Sequence, residues 1–216
     1  VEKCQKNKLK AFNINVRIVN KLKKAAEKNN IRIVHLSTDH IFNGKKNGYY
    51  NETSKPEGLN YYSKTKLMAE NVIKNYKKTL IIRTNFFGGH TGNRKSFSEY
   101  ILDNLRKKKS INLWSDIYFT PVNIYFLIKT IERLIDKNIY GIINISSTNK
   151  ISKYDFGLKL CHHFKFNEKY IFKKKQDNLT VPRPKNMSLS NKKLSKIFPD
   201  LKNKLLLNYQ IKDIYN

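Results

Sequence analysis

Ile31-Arg32-Ile33-Val34-His35-Leu36-Ser37-Thr38-Asp39 is the stretch whose reading decides the fold. Its first six residues are mostly apolar and β-branched, which suits a short strand, and Ser, Thr and Asp at its end suit the turn that follows one. Before it, 12–29 places Phe12, Val16, Val19, Leu22, Ala25 and Ala26 at helical spacing and stops at Asn29-Asn30. After it, the polar segment 37–60 carries Gly44, Gly48, Pro56 and Gly58 and reads as a long loop. Residues 61–77 return to helical spacing, with Leu67, Val72, Ile73 and Tyr76 on the apolar side, and 80–84 (Leu-Ile-Ile-Arg-Thr) is a second strand. The loop 85–95 holds Gly88, Gly89 and Gly92 and leads into a helix over 97–107. A strand at 111–114, an apolar helix at 123–136, a strand at 142–145 and a helix at 153–164 follow. The tail has a strand-like 170–173, a turn at Pro182-Arg183-Pro184 and short helices. Strands alternating with helices of ten to fifteen residues predict an α/β fold in which 31–36, 80–84 and 142–145 run parallel. The loops 37–60 and 85–95 both leave C-terminal strand ends, where open α/β sheets bind their ligands.

Composition narrows the function classes. Hydrophobic residues at 39% and aromatics at 12% describe a folded chain. No apolar run of about eighteen residues exists, so no membrane is expected as a partner. The two cysteines, Cys4 and Cys161, have no metal-like spacing, and a reducing cytoplasm is the natural compartment. The net charge of +28 invites a nucleic-acid reading. Against it, only seven basic residues are arginine, and the lysines are spread over the whole chain with no helix-turn-helix, zinc-finger or RNA-binding signature. Nucleic acid is therefore not expected as a partner. His162-His163 has no carboxylate or cysteine at ligand spacing, and no metal is expected.

Chemistry enters with Tyr62-Ser63-Lys64-Thr65-Lys66, which puts a phenol and an ammonium at i and i+4 on one helix face. A tyrosine pKa near 10 is too high for easy proton exchange at neutral pH, and a nearby ammonium favours the phenolate. Alone, the pair is weak in so lysine-rich a chain. It stands, however, after the strand end Ser37-Thr38-Asp39-His40-Ile41-Phe42-Asn43-Gly44 and before Ile81-Ile82-Arg83-Thr84. That order resembles the extended short-chain dehydrogenases, and within them the dTDP-4-dehydrorhamnose reductase branch. The likeness extends through Tyr49, Glu52, Pro56, the helix Asn60 to Glu70, Asp116 through Pro121, and Arg183-Pro184-Lys185-Asn186-Met187-Ser188-Leu189. Val1-Glu2-Lys3-Cys4 looks like the segment after that family's fourth sheet strand. Ser63 and Asn43 depart from a usual glycine and aspartate.

The resemblance implies a Rossmann-like doubly wound parallel sheet with a small substrate-binding lobe, divided here as 1–114 and 115–216. It implies reduction of a keto group on a nucleotide-activated sugar by NADP(H) or NAD(H), with a nucleotide-sugar substrate as partner and room for a homodimer. Thr38, Tyr62 and Lys66 would be catalytic; Tyr62, Lys66, Asn85 and Phe86 would meet the cofactor; Thr38, Asp39, His40 and Arg183 would meet the substrate. A guanidinium suits the diphosphate because it grips phosphate with two parallel hydrogen bonds. The regulatory subunit of methionine adenosyltransferase resembles the same branch, and a non-catalytic binding protein is the competing reading. No Gly-x-x-Gly-x-x-Gly occurs in the 216 residues. The chain is therefore expected to be the C-terminal two-thirds of a longer protein, with 31–36 as an unprotected apolar edge. Glycine is needed where a pyrophosphate approaches a helix N-terminus closely. The isolated chain is accordingly expected to bind nicotinamide dinucleotides only weakly; a calorimetric titration with NADPH giving micromolar affinity would contradict this.

Overall fold

The computed structural model describes residues 1–89, 95–177 and 179–212. Gly92 of the second loop lies outside them. Helices α1 (Glu2–Lys6) and α2 (Lys8–Phe12) run through a π turn at Asn13–Arg17 into α3 (Ile18–Lys28). Strand β1 (Ile33–Leu36) is followed by a 3-10 turn at Asp39–Ile41 and the long loop, then α4 (Tyr61–Ile73), β2 (Thr79–Thr84) and β3 (Phe86–Phe87). Next come α5 (Phe97–Arg106), β4 (Ile111–Trp114), β5 (Tyr118–Phe119), β6 (Val122–Asn123), α6 (Ile124–Asp136) and β7 (Gly141–Ile145). The chain closes with β8 (Ile151–Ser152), α7 (Lys153–His163), β9 (Ile171–Lys174), α8 (Lys192–Ile197) and α9 (Leu207–Lys212). No helix among the described residues is long and apolar enough to cross a membrane.

The three strands expected to be parallel form one sheet in the order β1-β2-β7, with Val34 opposite Leu80 and Ile82 opposite Ile143. Every residue of the central β2 is buried. Its alternation sends Ile81 towards Val19, Ala69 and Ile73, while Leu80 and Ile82 meet Leu127, Leu134, Leu194 and Phe198. Helices thus cover both faces, as a doubly wound sheet requires. A second core gathers Phe87, Leu102, Leu113, Phe119, Phe156 and Leu160 around α5, α7 and the parallel pair β4 and β9. It crosses the boundary anticipated at 114, because α5 and β4 pack on α7 and β9 rather than on the main sheet.

Two faces differ from the periodicity reading. In the first long helix Val16, Val19 and Ala26 are buried, but Leu22 is 58% exposed and Ala25 is exposed too. Leu22 instead lies with Ile31 and Val34 along a shallow groove beside β1, the outer strand of the sheet. Residues 31–36 are therefore an apolar edge among the described residues, with Val34 and Leu36 both exposed. In α4 the buried positions include Ser63, Thr65 and Glu70 beside Ala69 and Ile73, whereas Leu67 and Val72 are only half-buried.

Glu70 explains the polar face. Its carboxylate pairs with Arg83 of β2 at 2.7 Å (Nη2 to Oε2) and 3.1 Å (Nε to Oε1), with both side chains almost fully buried. The Ser37 hydroxyl donates to the same carboxylate. Arg83 also donates to the Glu52 carbonyl at 3.2 Å and stands over the Phe42 ring. The Glu52 carboxylate in turn accepts from the Asn144 backbone of β7 at 3.0 Å. One ion pair thus ties α4, the central strand, the end of β1 and the long loop together, with β7 joined through Glu52. Removing one partner leaves an uncompensated buried charge, which costs about 3–5 kcal/mol. Arg83→Met should lower the melting temperature by roughly 10 °C, and the double variant Arg83→Met/Glu70→Leu should recover much of it. A single variant melting with the parent protein would contradict this role.

Candidate active site

A cleft of about 320 Å³ opens at the C-terminal ends of β1 and β2. Thr38, His40, Tyr62, Asn85 and Phe86, all singled out from the sequence, line it together with Val1, Ser37 and Thr84. The backbone explains the convergence. Parallel strands deliver Ser37-Thr38 and Thr84-Asn85 side by side, because Leu36 is paired with Ile82 and the Ser37 amide donates to the Ile82 carbonyl. Asp39 does not face the cleft but supports it: its carboxylate accepts from the Thr38 hydroxyl at 3.2 Å and from the Asn85 amide at 2.9 Å.

Tyr62 stands in the first turn of α4, whose start is held by a capping box. The Asn60 side chain accepts from the Ser63 amide, and the Ser63 hydroxyl accepts from the Asn60 amide. Ser63, a departure from the family pattern, therefore fixes the turn that presents the phenol. The Tyr62 ring meets His40 edge-on with centroids 6.0 Å apart. Burial holds the His40 pKa below its ordinary value despite the opposing Asp39 carboxylate, so the ring is neutral at pH 7. Its Nδ1 is buried without a hydrogen-bond partner, as is the Thr84 hydroxyl. Buried polar atoms are rarely left so, and these two belong to residues that line one cleft.

Lys66 follows Tyr62 by one turn. Its ammonium donates to the Leu36 carbonyl at 2.5 Å and lies 3.4 Å from His35 Nε2. Burial lowers its pKa, with Glu70 opposing. The same burial, joined by the Lys66 charge, lowers His35 to about 4.

Arg183 reaches the cleft's side from far along the chain. The late segment is stitched to the long loop: Asn186 donates to the Lys46 and Gly48 carbonyls, and the Tyr50 amide donates to the Ser188 carbonyl. Gly44, at φ +79°, allows the approach, since a Cβ there would lie 2.7 Å from the Lys185 nitrogen. Arg183 pairs with Glu2, the neighbour of cleft-lining Val1, and stands over the Trp114 ring. Its charge is felt at His40. Sequence reasoning passed over Val1, Ser37 and Thr84, which also line the cleft. The signal for Thr84 was its place at a strand end, which the pairing of β1 with β2 brings level with Thr38.

A flat heteroaromatic ring with polar edges, such as a nicotinamide, fits the exposed Phe86 face beside Asn85 and the two unpaired polar atoms. The volume is at the small end for ligand pockets and suits one ring system with its sugar, not a whole dinucleotide. No group of three or more His, Cys, Asp or Glu suited to a metal exists among the described residues. His162 pairs with Glu168 at the surface instead.

Comparison with known proteins places the chain in a family. The family model described as the RmlD substrate binding domain matches residues 1–205. A probable low-salt glycan biosynthesis reductase of Haloferax volcanii is 26% identical over 165 residues, 74% of this chain and 55% of that protein. A dTDP-4-dehydrorhamnose reductase of Aggregatibacter actinomycetemcomitans is 29% identical over 69% of this chain and 53% of its own length. The chain therefore spans about half the length of the curated relatives it matches. Among solved structures, a hypothetical dTDP-4-dehydrorhamnose reductase from Sulfolobus tokodaii superposes with a TM-score of 0.81 at 30% identity, covering 92% of this chain and 70% of that one.

The buried His35 has a consequence for acid stability. Its folded pKa lies below the unfolded value of 6.5, so the unfolded state takes up the extra proton, and stability is lost as pH falls from about 6.5 towards 4. Urea unfolding should show the parent protein losing on the order of 1 kcal/mol more than His35→Asn between pH 7 and pH 5. Equal losses would show that His35 is not the acid-sensitive group.

Proposed function

The chain belongs to the RmlD substrate-binding domain family, and from that membership we propose that it carries the proton-donating and sugar-nucleotide-binding parts of an NAD(P)H-dependent reductase. The substrate is a keto sugar carried on a nucleoside diphosphate, of the dTDP-4-dehydrorhamnose kind. The observation that carries this reading is the convergence of Thr38, Tyr62, Asn85 and Phe86 on one cleft, with Lys66 one turn beyond Tyr62.

NADP(H) or NAD(H), held by Tyr62, Lys66, Asn85 and Phe86, supplies the hydride when bound. The Thr38 hydroxyl, now donating to Asp39, turns to the carbonyl oxygen of the sugar and orients it. Tyr62 donates its phenolic proton to that oxygen as negative charge builds on it, and the carbonyl becomes an alcohol. Lys66, a cation on the same helix face, favours the phenolate that remains. His40, neutral and packed on the Tyr62 ring, keeps the phenol in place and offers a side-chain contact to the sugar. Asp39 holds Thr38 and Asn85 in position. Arg183, released from Glu2, takes the diphosphate. In this reading residues 1–114 bring the reacting groups and residues 115–216 bring the grip on the nucleotide. The reaction occurs in the cytoplasm, in keeping with two unpaired cysteines, and involves neither nucleic acid nor a membrane. A homodimer is compatible with it.

The test is NAD(P)H oxidation with dTDP-4-dehydrorhamnose by this protein. Tyr62→Phe should lower kcat roughly 10²–10⁴-fold with KM nearly unchanged, because only the proton donor is lost. Full turnover in that variant would favour the non-catalytic regulatory reading.

A further inference from the structure

Lys153 is a cation that has aromatic rings but no carboxylate beside it among the described residues. It opens α7 directly after the N-cap Ser152, where the helix dipole disfavours positive charge. Its ammonium sits 3.5 Å from the centre of the Phe119 ring and 4.5 Å from that of Phe97. Those rings steady it through their faces but use none of its three N–H donors. Among the described residues no carboxylate lies within 4 Å of it, and it makes no hydrogen bond. The charged groups that face it are Asp39, from the turn after β1, and Arg183, from the late segment. Its own charge reaches His40. Lys153 is therefore within electrostatic reach of Asp39 and His40 on the cleft's side and of Arg183.

We propose that Lys153 is an anion-binding residue of this cleft, which together with Arg183 holds the diphosphate of a nucleoside-diphosphate ligand. The inference rests on the functional reading above and assigns part of its ligand's grip. An anion lying between the two cations neutralises both, supplies acceptors for the idle N–H groups, and turns the placement of Lys153 at a helix N-terminus from a cost into a binding contribution. The geometry also sets a pH dependence. Burial, helped by Arg183 and opposed by Asp39, brings the Lys153 pKa down to about 8. The charged form that grips the anion is present below that value and is lost as pH rises through it. A bound diphosphate shifts the loss upwards.

Isothermal titration of the chain with dTDP, and with thymidine as an uncharged control, tests this. Lys153→Met should weaken dTDP binding roughly 10–100-fold, as expected for losing a charge-assisted contact, and leave thymidine binding unchanged. Lys153→Arg should retain most of the affinity. Between pH 7.5 and 9.5, where the diphosphate is already fully ionised, parent affinity should fall while that of Lys153→Met stays flat. A Lys153→Met protein that melts with the parent and binds dTDP equally well overturns this inference and leaves the functional reading standing. An equal loss of thymidine and dTDP overturns it too, because the defect would then be one of shape. A parent chain that binds neither ligand overturns both readings.

Discussion

The buried Glu70–Arg83 ion pair is the constraint on which the rest of the structure depends. A carboxylate and a guanidinium removed from water must satisfy each other and their remaining hydrogen-bonding sites. Here those remaining sites are met by Ser37 at the end of β1 and by the Glu52 carbonyl in the long loop. The pair thereby fixes α4 against the central strand and anchors the loop that leaves the neighbouring one. Thr38 is the next residue after Ser37, and Tyr62 lies two turns before Glu70 on the same helix. Their relative position follows from a charge pair that touches neither of them.

The cleft is built on rigid elements and is electrostatically uneven. His40, which lines it, and His35, on β1 beside Lys66, are both kept uncharged at neutral pH by burial. Lys153 and Arg183 lie outside the cleft's lining but close enough to feel each other's charge. The net charge of +28 does not mark the cleft, since the lysines are spread over the whole chain. What distinguishes Lys153 from them is its seat over two aromatic rings with no anion beside it.

The late segment shows how distant parts of the chain are brought to one place. Backbone and side-chain hydrogen bonds lace residues 186–190 between the long loop and β5, and Asn60 donates to the Pro182 carbonyl just ahead of Arg183. The residue that caps the Tyr62 helix thus also holds the turn that carries Arg183. Both departures from the family pattern serve such local order. Ser63 closes the capping box, and Asn43 accepts from the Tyr50 hydroxyl and donates to Glu57.

By itself the sequence determined the alternation of strands and helices, the parallel direction of three strands, and the identity of Thr38, Tyr62, Asn85 and Phe86 as cleft residues. Each of these is a local matter: apolar periodicity selects the element, and a ligand-binding loop must leave a strand end. It also made the apolar edge at 31–36 visible, because alternating exposed Val34 and Leu36 cannot be hidden by one neighbouring strand. Only the tertiary structure decided that Leu22 lies outside the core, since its side of α3 flanks the outer strand β1, whereas Val19 and Ala26 are buried. Only it decided that α5 and β4 belong with α7 and β9, because which partner buries an amphipathic face depends on where the chain returns. And only it distinguished Lys153 from its fellow lysines: charge is written in the sequence, but the partners that neutralise it, or fail to, are assembled from residues more than a hundred positions apart.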